Sequence, residues 1–284
     1  MTTPTIDLSG RNIVITGANT GIGRISAIEL ARAGANVTLA CRSREKTEPV
    51  LAEIKAATGR DAAFVALDLG SLASVRTAVS QLLQRGEPIH VLLNNAGLGG
   101  QRGATADGFE LAFGTNHVGH FALTHGLLDR IRSSPHARIV NVASKMHYRC
   151  NGIDFDAVRK PTRTLTGARE YGVSKLANVL FTQRLQRELA GTSTVAVSLH
   201  PGVVKTDVWR GIPWPIRNLV TRGMITPEQG AQTSIYCCSA PEVAASPALY
   251  YDRSKPREAA ALAKDRALAD ELWTRSLEYI GAAR

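Results

Sequence analysis

Short apolar runs alternate with amphipathic stretches along the chain, the pattern of repeated βαβ units around a parallel sheet. Asn12 to Thr16 reads as a first buried strand, Ile22 to Arg32 as the helix after it, and Asn36 to Cys41 as a second strand. Ala62 to Leu67, Ile89 to Asn94, Arg138 to Ala143 and Thr194 to His200 supply further strands. Helical periodicity separates them at Leu72 to Gln84, Glu110 to Arg130 and Tyr171 to Leu189. Ala248 to Tyr251 adds a short last strand. Thr226-Pro227-Glu228-Gln229 has the form of a capping box with proline in the first turn, which predicts a helix to about Cys238. The fold class expected is α/β: a doubly wound parallel sheet of about seven strands with helices on both faces, in one domain over residues 1–284.

Two stretches break this rhythm, near 145–170 and 203–225, and both follow the carboxyl ends of predicted strands, where ligands bind in open α/β sheets. Long connections at such places act as lids or walls. The second carries Trp209, Ile212, Pro213, Trp214, Pro215 and Ile216, which suit either an apolar substrate wall or a loop packed onto its own domain.

Composition narrows the function classes. Hydrophobic residues are 44% of the chain and charged residues 20%, ordinary for a soluble protein with a large core. Met1 to Asn12 holds no continuous apolar stretch resembling an export signal, and no later segment reaches the length of a bilayer span, so a cytoplasmic location is expected. Cys41, Cys150, Cys237 and Cys238 have neither the CxxC nor the His/Cys spacing of a zinc site, so no metal is expected. The net charge of +10 raises a nucleic-acid partner, yet the basic residues are scattered singly among few aromatics, which argues against one.

The chemistry starts at Thr16-Gly17-Ala18-Asn19-Thr20-Gly21-Ile22-Gly23, a glycine run between the first strand and its helix, the context of a Rossmann-type dinucleotide site. Gly17 permits a tight turn, Gly21 lets the backbone approach a pyrophosphate, and Gly23 lets helix and strand pack closely. The helix start then offers free N–H groups and a positive dipole end to phosphates. At the end of the second strand an unphosphorylated ribose is usually met by an acid, but this chain reads Ala40-Cys41-Arg42-Ser43-Arg44. Arg42 suits a 2′-phosphate, which favours NADP over NAD.

Farther along stands Tyr171-Gly172-Val173-Ser174-Lys175. Positions i and i+4 share a helix face, so the Lys175 ammonium is expected beneath the Tyr171 oxygen, lowering a pKa ordinarily about 10 toward neutrality. Interconversion of an alcohol and a carbonyl needs such a proton exchanger.

Together these residues resemble the short-chain dehydrogenase/reductase family over nearly the whole chain: Thr16 to Gly23, Asp68-Leu69, Asn94-Asn95-Ala96-Gly97, Asn116, Ser144, Tyr171 to Lys175, and Pro201-Gly202 with Thr206. Tyr171 to Asn178, His200 to Thr206 and Thr226 to Thr233 are similar to its retinol dehydrogenase-like branch. The resemblance implies catalytic roles for Asn116, Ser144, Tyr171 and Lys175. It places Thr16, Gly17, Asn19, Thr20, Gly21, Ile22 and Gly23 on the cofactor and Asp68 and Leu69 beside its adenine. Asn95, Ala96 and Gly97 would border its nicotinamide half, with Pro201, Gly202, Val203 and Thr206 at the carboxamide end. Tyr171 and Lys175 would touch the cofactor too, with Lys175 on ribose hydroxyls. Ser144 would hydrogen-bond the substrate oxygen, and Asn116 would bend its helix and hold a water leading from Lys175 to solvent. His120, His147 and His200 are expected to pack or serve the substrate loop, because the Tyr/Lys pair already supplies the acid/base function.

The expected function is an NADP-dependent oxidoreductase moving a hydride between nicotinamide and an alcohol or carbonyl substrate, secondary and of apolar character. The alternative is a catalytically silent nicotinamide-binding sensor of the same fold. The segments Glu110 to Arg130 and Tyr171 to Leu189 offer faces for a homo-oligomer.

Overall fold

The computed structural model describes residues 7–204, 225–246 and 248–282. Its strands are β1 (Asn12–Thr16), β2 (Asn36–Cys41), β3 (Ala63–Ala66), β4 (Val91–Asn94), β5 (Arg138–Val142), β6 (Val195–His200), β7 (Tyr250–Asp252) and β8 (Lys255–Pro256). They form one sheet in the order β3-β2-β1-β4-β5-β6-β7-β8, parallel except for the last pair. The α/β class stands, with eight strands rather than about seven. The addition is the exposed pair Lys255–Pro256, which returns antiparallel to β7 through Arg253 and Ser254, both at positive φ (53° and 57°). Two such residues in succession make the tight turn of a two-residue hairpin.

Alternation along each strand feeds two faces. Ile13 and Ile15 of β1 point into the same core as Leu93, Val140 and Leu199, while Val14 joins Leu92, Ile139 and Ala196 on the opposite side. Both faces are covered, so the strands are largely apolar, with buried polar residues such as Asn94, Asn141 and Ser198 among them. The first face is closed by α1 (Gly21–Arg32), α2 (Arg44–Thr58) and the later α7 (Pro227–Ser239). The second carries α3 (Leu72–Gln84), α5 (Gly119–Arg132), α6 (Ala168–Glu188) and the C-terminal α9 (Arg266–Ile280). The capping box at α7 forms as the sequence predicts: Thr226 Oγ1 accepts from Gln229 N at 3.3 Å, and the Gln229 side chain accepts from Thr226 N at 3.1 Å. A five-residue helix, α8 (Pro241–Ala245), follows it.

The helix expected from Glu110 to Arg130 is broken. A single turn, α4 (Leu111–Phe113), passes into a π-helical segment at Gly114–Val118 before α5 begins. Its start is held by Glu110, whose buried carboxylate accepts from Phe113 N at 2.7 Å and from the Thr162 hydroxyl at 2.5 Å. α9 lies across α5 and α6, where Trp273 meets Phe121 edge-on at 5.1 Å and stacks on Phe181 at 6.0 Å, and Arg184 pairs with Asp270 at 3.0 Å. The chain's own C-terminal helix thus occupies part of the surface that the sequence offers for a second copy. Among the described residues no helix is long and apolar enough to cross a membrane.

Candidate active site

The strand order reverses between β1 and β4, and a crevice opens there at the carboxyl ends of the strands. Its cavity of about 760 Å³ is lined by Gly17, Asn19, Thr20, Gly21, Ile22 and Gly23 on one side and by Asp68, Leu69, Asn95, Ala96 and Gly97 on the other. Gly17 and Gly21 sit at positive φ (65° and 54°). Gly23 is dictated by space instead: a Cβ there would lie 2.3 Å from the Gly17 carbonyl oxygen and 2.5 Å from Asn95 Nδ2. The amides of the first turn of α1 therefore line the cavity directly, in a turn without acidic residues. Such an end binds phosphates.

At the far end of the cavity Arg42 is exposed beside Ser43 and Lys46. Ser43 caps α2 by accepting from Lys46 N at 3.2 Å. Arg44 is 3.6 Å from Glu48, whereas neither Arg42 nor Lys46 has an acidic partner among the described residues. Two cations at a helix N-terminus suit an anionic group. Lys46 escaped the sequence reading because one exposed lysine in a helix resembles any other; its place three residues after a capping serine is the signal that would find it. The size, glycine floor and cation pair fit a phosphorylated dinucleotide.

The residues to which the family resemblance gives catalytic roles converge beyond Gly97. Tyr171 and Lys175 share a face of α6, with Lys175 Nζ 5.7 Å from the Tyr171 ring centre. A Cβ on Gly97 would lie 3.4 Å from Lys175 Nζ, and one on Gly99 would lie 2.9 Å from the Tyr171 ring, so the cavity's edge abuts both. Ser144, two residues past β5, caps a 3₁₀ turn at Lys145–Arg149, and its hydroxyl is near enough to the Tyr171 phenol to act on its ionisation. Asn116 sits in the π segment with its amide fully engaged: Nδ2 donates to Leu98 O and to Ser174 Oγ, and Oδ1 accepts from Leu98 N, each at 2.9 Å. That side chain fastens the loop after β4 to α6.

The electrostatics differ from expectation. Burial raises the Tyr171 phenol above its ordinary value, with the Ser144 hydrogen bond pulling the other way. Burial pushes the Lys175 amine down to about 7. Its Nζ donates to the Val142 carbonyl at 2.8 Å. Desolvation disfavours charge on both groups.

The three histidines are buried and bonded. His147 donates from Nδ1 to the Ser144 carbonyl at 2.6 Å, and His200 Nδ1 accepts from Lys145 N at 3.4 Å. His120 bridges Thr16 Oγ1 and the Asn116 carbonyl, each at 2.9 Å. Pro201, Gly202 and Val203 follow β6 outside the lining of the cavity, while Thr206 and the apolar run from Trp209 to Ile216 lie outside the described residues. The 145–170 segment is anchored by Glu110 and by Glu170, which accepts from Arg163 N at 3.1 Å and Thr164 N at 2.9 Å.

A doubly wound sheet whose switch point carries a glycine crevice, with a tyrosine and lysine at its rim, defines a nucleotide-binding oxidoreductase. The family profile of the short chain dehydrogenase matches residues 11–152. Human retinol dehydrogenase 13 is 39% identical over 284 aligned residues, spanning 96% of this chain and 86% of that protein, and mouse retinol dehydrogenase 12 is 38% identical, spanning 98% and 89%. Among solved structures, an uncharacterised protein from Mycobacterium paratuberculosis matches with a TM-score of 0.78 at 33% identity, covering 98% of this chain and 96% of that one. The 3-ketoacyl-(acyl-carrier-protein) reductase of Brucella melitensis, complexed with NADH, matches with a TM-score of 0.67 at 26% identity, covering 88% and 100%. The chain belongs to the short-chain dehydrogenase/reductase family, on its retinol dehydrogenase-like side.

Proposed function

We propose that this chain is an NADP-dependent oxidoreductase that interconverts an apolar alcohol and its carbonyl form, with Tyr171 as general acid/base. The reading is carried by the convergence of Ser144, Tyr171 and Lys175 on the rim of the crevice. When bound, the nicotinamide supplies or accepts the hydride. Ser144 holds the substrate oxygen and Tyr171 exchanges the proton with it. A protonated Lys175 beside the phenol favours its ionised form, and the ribose hydroxyls give the amine polar partners within its reach. Arg42 and Lys46 support the choice of NADP, since they stand just after β2 and in the first turn of α2 without acidic partners among the described residues. The names of the retinol dehydrogenases, whose substrate is an apolar alcohol, support the substrate class.

The test is NADPH oxidation across a panel of aldehydes and ketones, repeated with Tyr171→Phe. Turnover should fall by about 10²–10⁴-fold in the variant, with NADPH binding changed less than about twofold. Equal turnover by Tyr171→Phe refutes the assignment of the proton. NADPH binding without turnover of any carbonyl in the parent favours the silent sensor.

A further inference from the structure

The histidine at 120 has no part in the proton transfer proposed above, yet both of its ring nitrogens are bonded to residues that border the site. Nδ1 lies 2.9 Å from the main-chain carbonyl of Asn116, and a carbonyl can only accept, so Nδ1 carries a hydrogen. Nε2 lies 2.9 Å from Thr16 Oγ1. The Thr16 oxygen accepts from Asn95 N at 3.0 Å and Ala96 N at 2.9 Å, filling both lone pairs. Its own hydrogen is then directed to Nε2, the Leu93 carbonyl being farther at 3.4 Å. One tautomer satisfies every atom. Burial, the largest influence on this ring, pushes it down to about 4, which keeps it neutral in that tautomer at neutral pH.

The ring connects two parts of the site. On one side, Thr16 fixes the main chain of Asn95 and Ala96, which lines the crevice. On the other, the Asn116 amide donates to Ser174 Oγ at 2.9 Å, and that hydroxyl donates to the Tyr171 carbonyl at 2.8 Å. We propose that His120 is a positioning residue: its Nδ1–H sets Asn116, and through Ser174 the backbone of Tyr171, while its Nε2 sets the Thr16 hydroxyl that holds the cofactor-side loop. The proposal rests on the reading that Tyr171 exchanges the proton with substrate. His117 supplies a contrast one helical turn away. It is buried among Phe113, Phe121 and Phe181 and bonds only Ser276 Oγ at 2.9 Å, on the side facing α9.

The two nitrogens can be separated by half-replacement. The amide nitrogen of an asparagine side chain stands about where Nδ1 does, and the amide end of glutamine about where Nε2 does. His120→Asn keeps the bond to the Asn116 carbonyl and drops Thr16; His120→Gln does the reverse. Steady-state kinetics and NADPH fluorescence titration should therefore split. His120→Gln should lower kcat about tenfold with NADPH affinity within about twofold. His120→Asn should weaken NADPH binding about fivefold and leave kcat within about twofold. His117→Gln should alter neither, even where it costs similar thermal stability. Equal effects of the two His120 variants on both readouts, or no effect of either, overturn the proposal. A readout independent of variants is the ring ¹⁵N spectrum of the parent, which should show a neutral Nδ1–H ring from about pH 6 to 8; an Nε2–H ring or a charged one overturns it. Should the parent bind NADPH but reduce no carbonyl, the functional reading fails by itself. The affinity difference and the tautomer then still decide whether His120 sets the loop.

Discussion

Main chain and glycines line the end of the crevice at α1, whereas side chains from several elements form the end at Tyr171. At the first end the amides of the α1 turn and two exposed cations face the cavity, and the walls close because glycine leaves room for them. At the second, Asn116, Ser144 and Lys175 are buried, and each is tied by hydrogen bonds to a neighbouring element or turn. Substitutions at the cations should therefore change affinity and leave the fold alone. Removing the Asn116 amide leaves polar partners stranded, so function and stability should fall together there, whereas buried Lys175 carries a desolvation penalty of its own.

The sharpest way to break this contrast is at Gly23, where an added side chain would come closer to backbone than at Gly17. Gly23→Ala places a methyl 2.3 Å from the Gly17 oxygen. It should weaken NADPH binding by more than about 100-fold (roughly 2.7 kcal/mol), measured by fluorescence titration; retained binding shows that the loop can yield. Asn116→Ala leaves both Leu98 backbone groups and Ser174 without their partner. A loss of about 2–4 kcal/mol in urea unfolding is expected, and a change below about 0.5 kcal/mol would mean that water replaces the amide without penalty. Arg42→Asp should weaken NADPH binding about 30-fold while NADH changes less than about threefold. Equal small losses for both cofactors refute the 2′-phosphate assignment, and Lys46→Ala should give the same preference at about fivefold.

The smallest effect concerns Lys175 in the absence of cofactor. Its folded pKa of about 7 lies below the roughly 10.4 of an unfolded lysine. Between those values the unfolded chain binds more protons, so this group makes stability rise with pH across that window, and below it the full desolvation penalty remains. Lys175→Met should abolish turnover yet raise the melting temperature at pH 7 by about 2 °C and flatten the pH dependence above it. A melting temperature lowered by the substitution would show that the bond to Val142 outweighs desolvation.

The sheet was legible because strands buried on both faces appear as short continuous apolar runs, and the glycine crevice because its spacing carries stereochemical demands. What escaped has identifiable causes. α2 contains Pro49 and buries only Thr47, Val50 and Ile54, so its periodicity is thin. α9 is rich in charge, although Ala269, Leu272, Trp273, Ser276, Leu277 and Ile280 follow a helical stripe toward the core. The π segment is nearly invisible because one wider turn hardly alters the apolar period. His120 read as a packing residue, since its partner Thr16 is 104 positions away and the meaning of the ring lies in that pairing. Helix spacing sets the proximity of Lys175 to Tyr171, whereas burial, which depends on everything packed around the pair, raises the phenol and lowers the amine.

The hairpin at Arg253 and Ser254 has a further consequence. It places Lys255 and Pro256 on the outermost rim of the sheet, one a charge that resists being covered and the other a residue with no amide hydrogen to donate. That rim is a poor template for a strand from a neighbouring molecule, so the parallel core ends in a blunt border that protects a crowded solution of this protein from zipping into aggregates there.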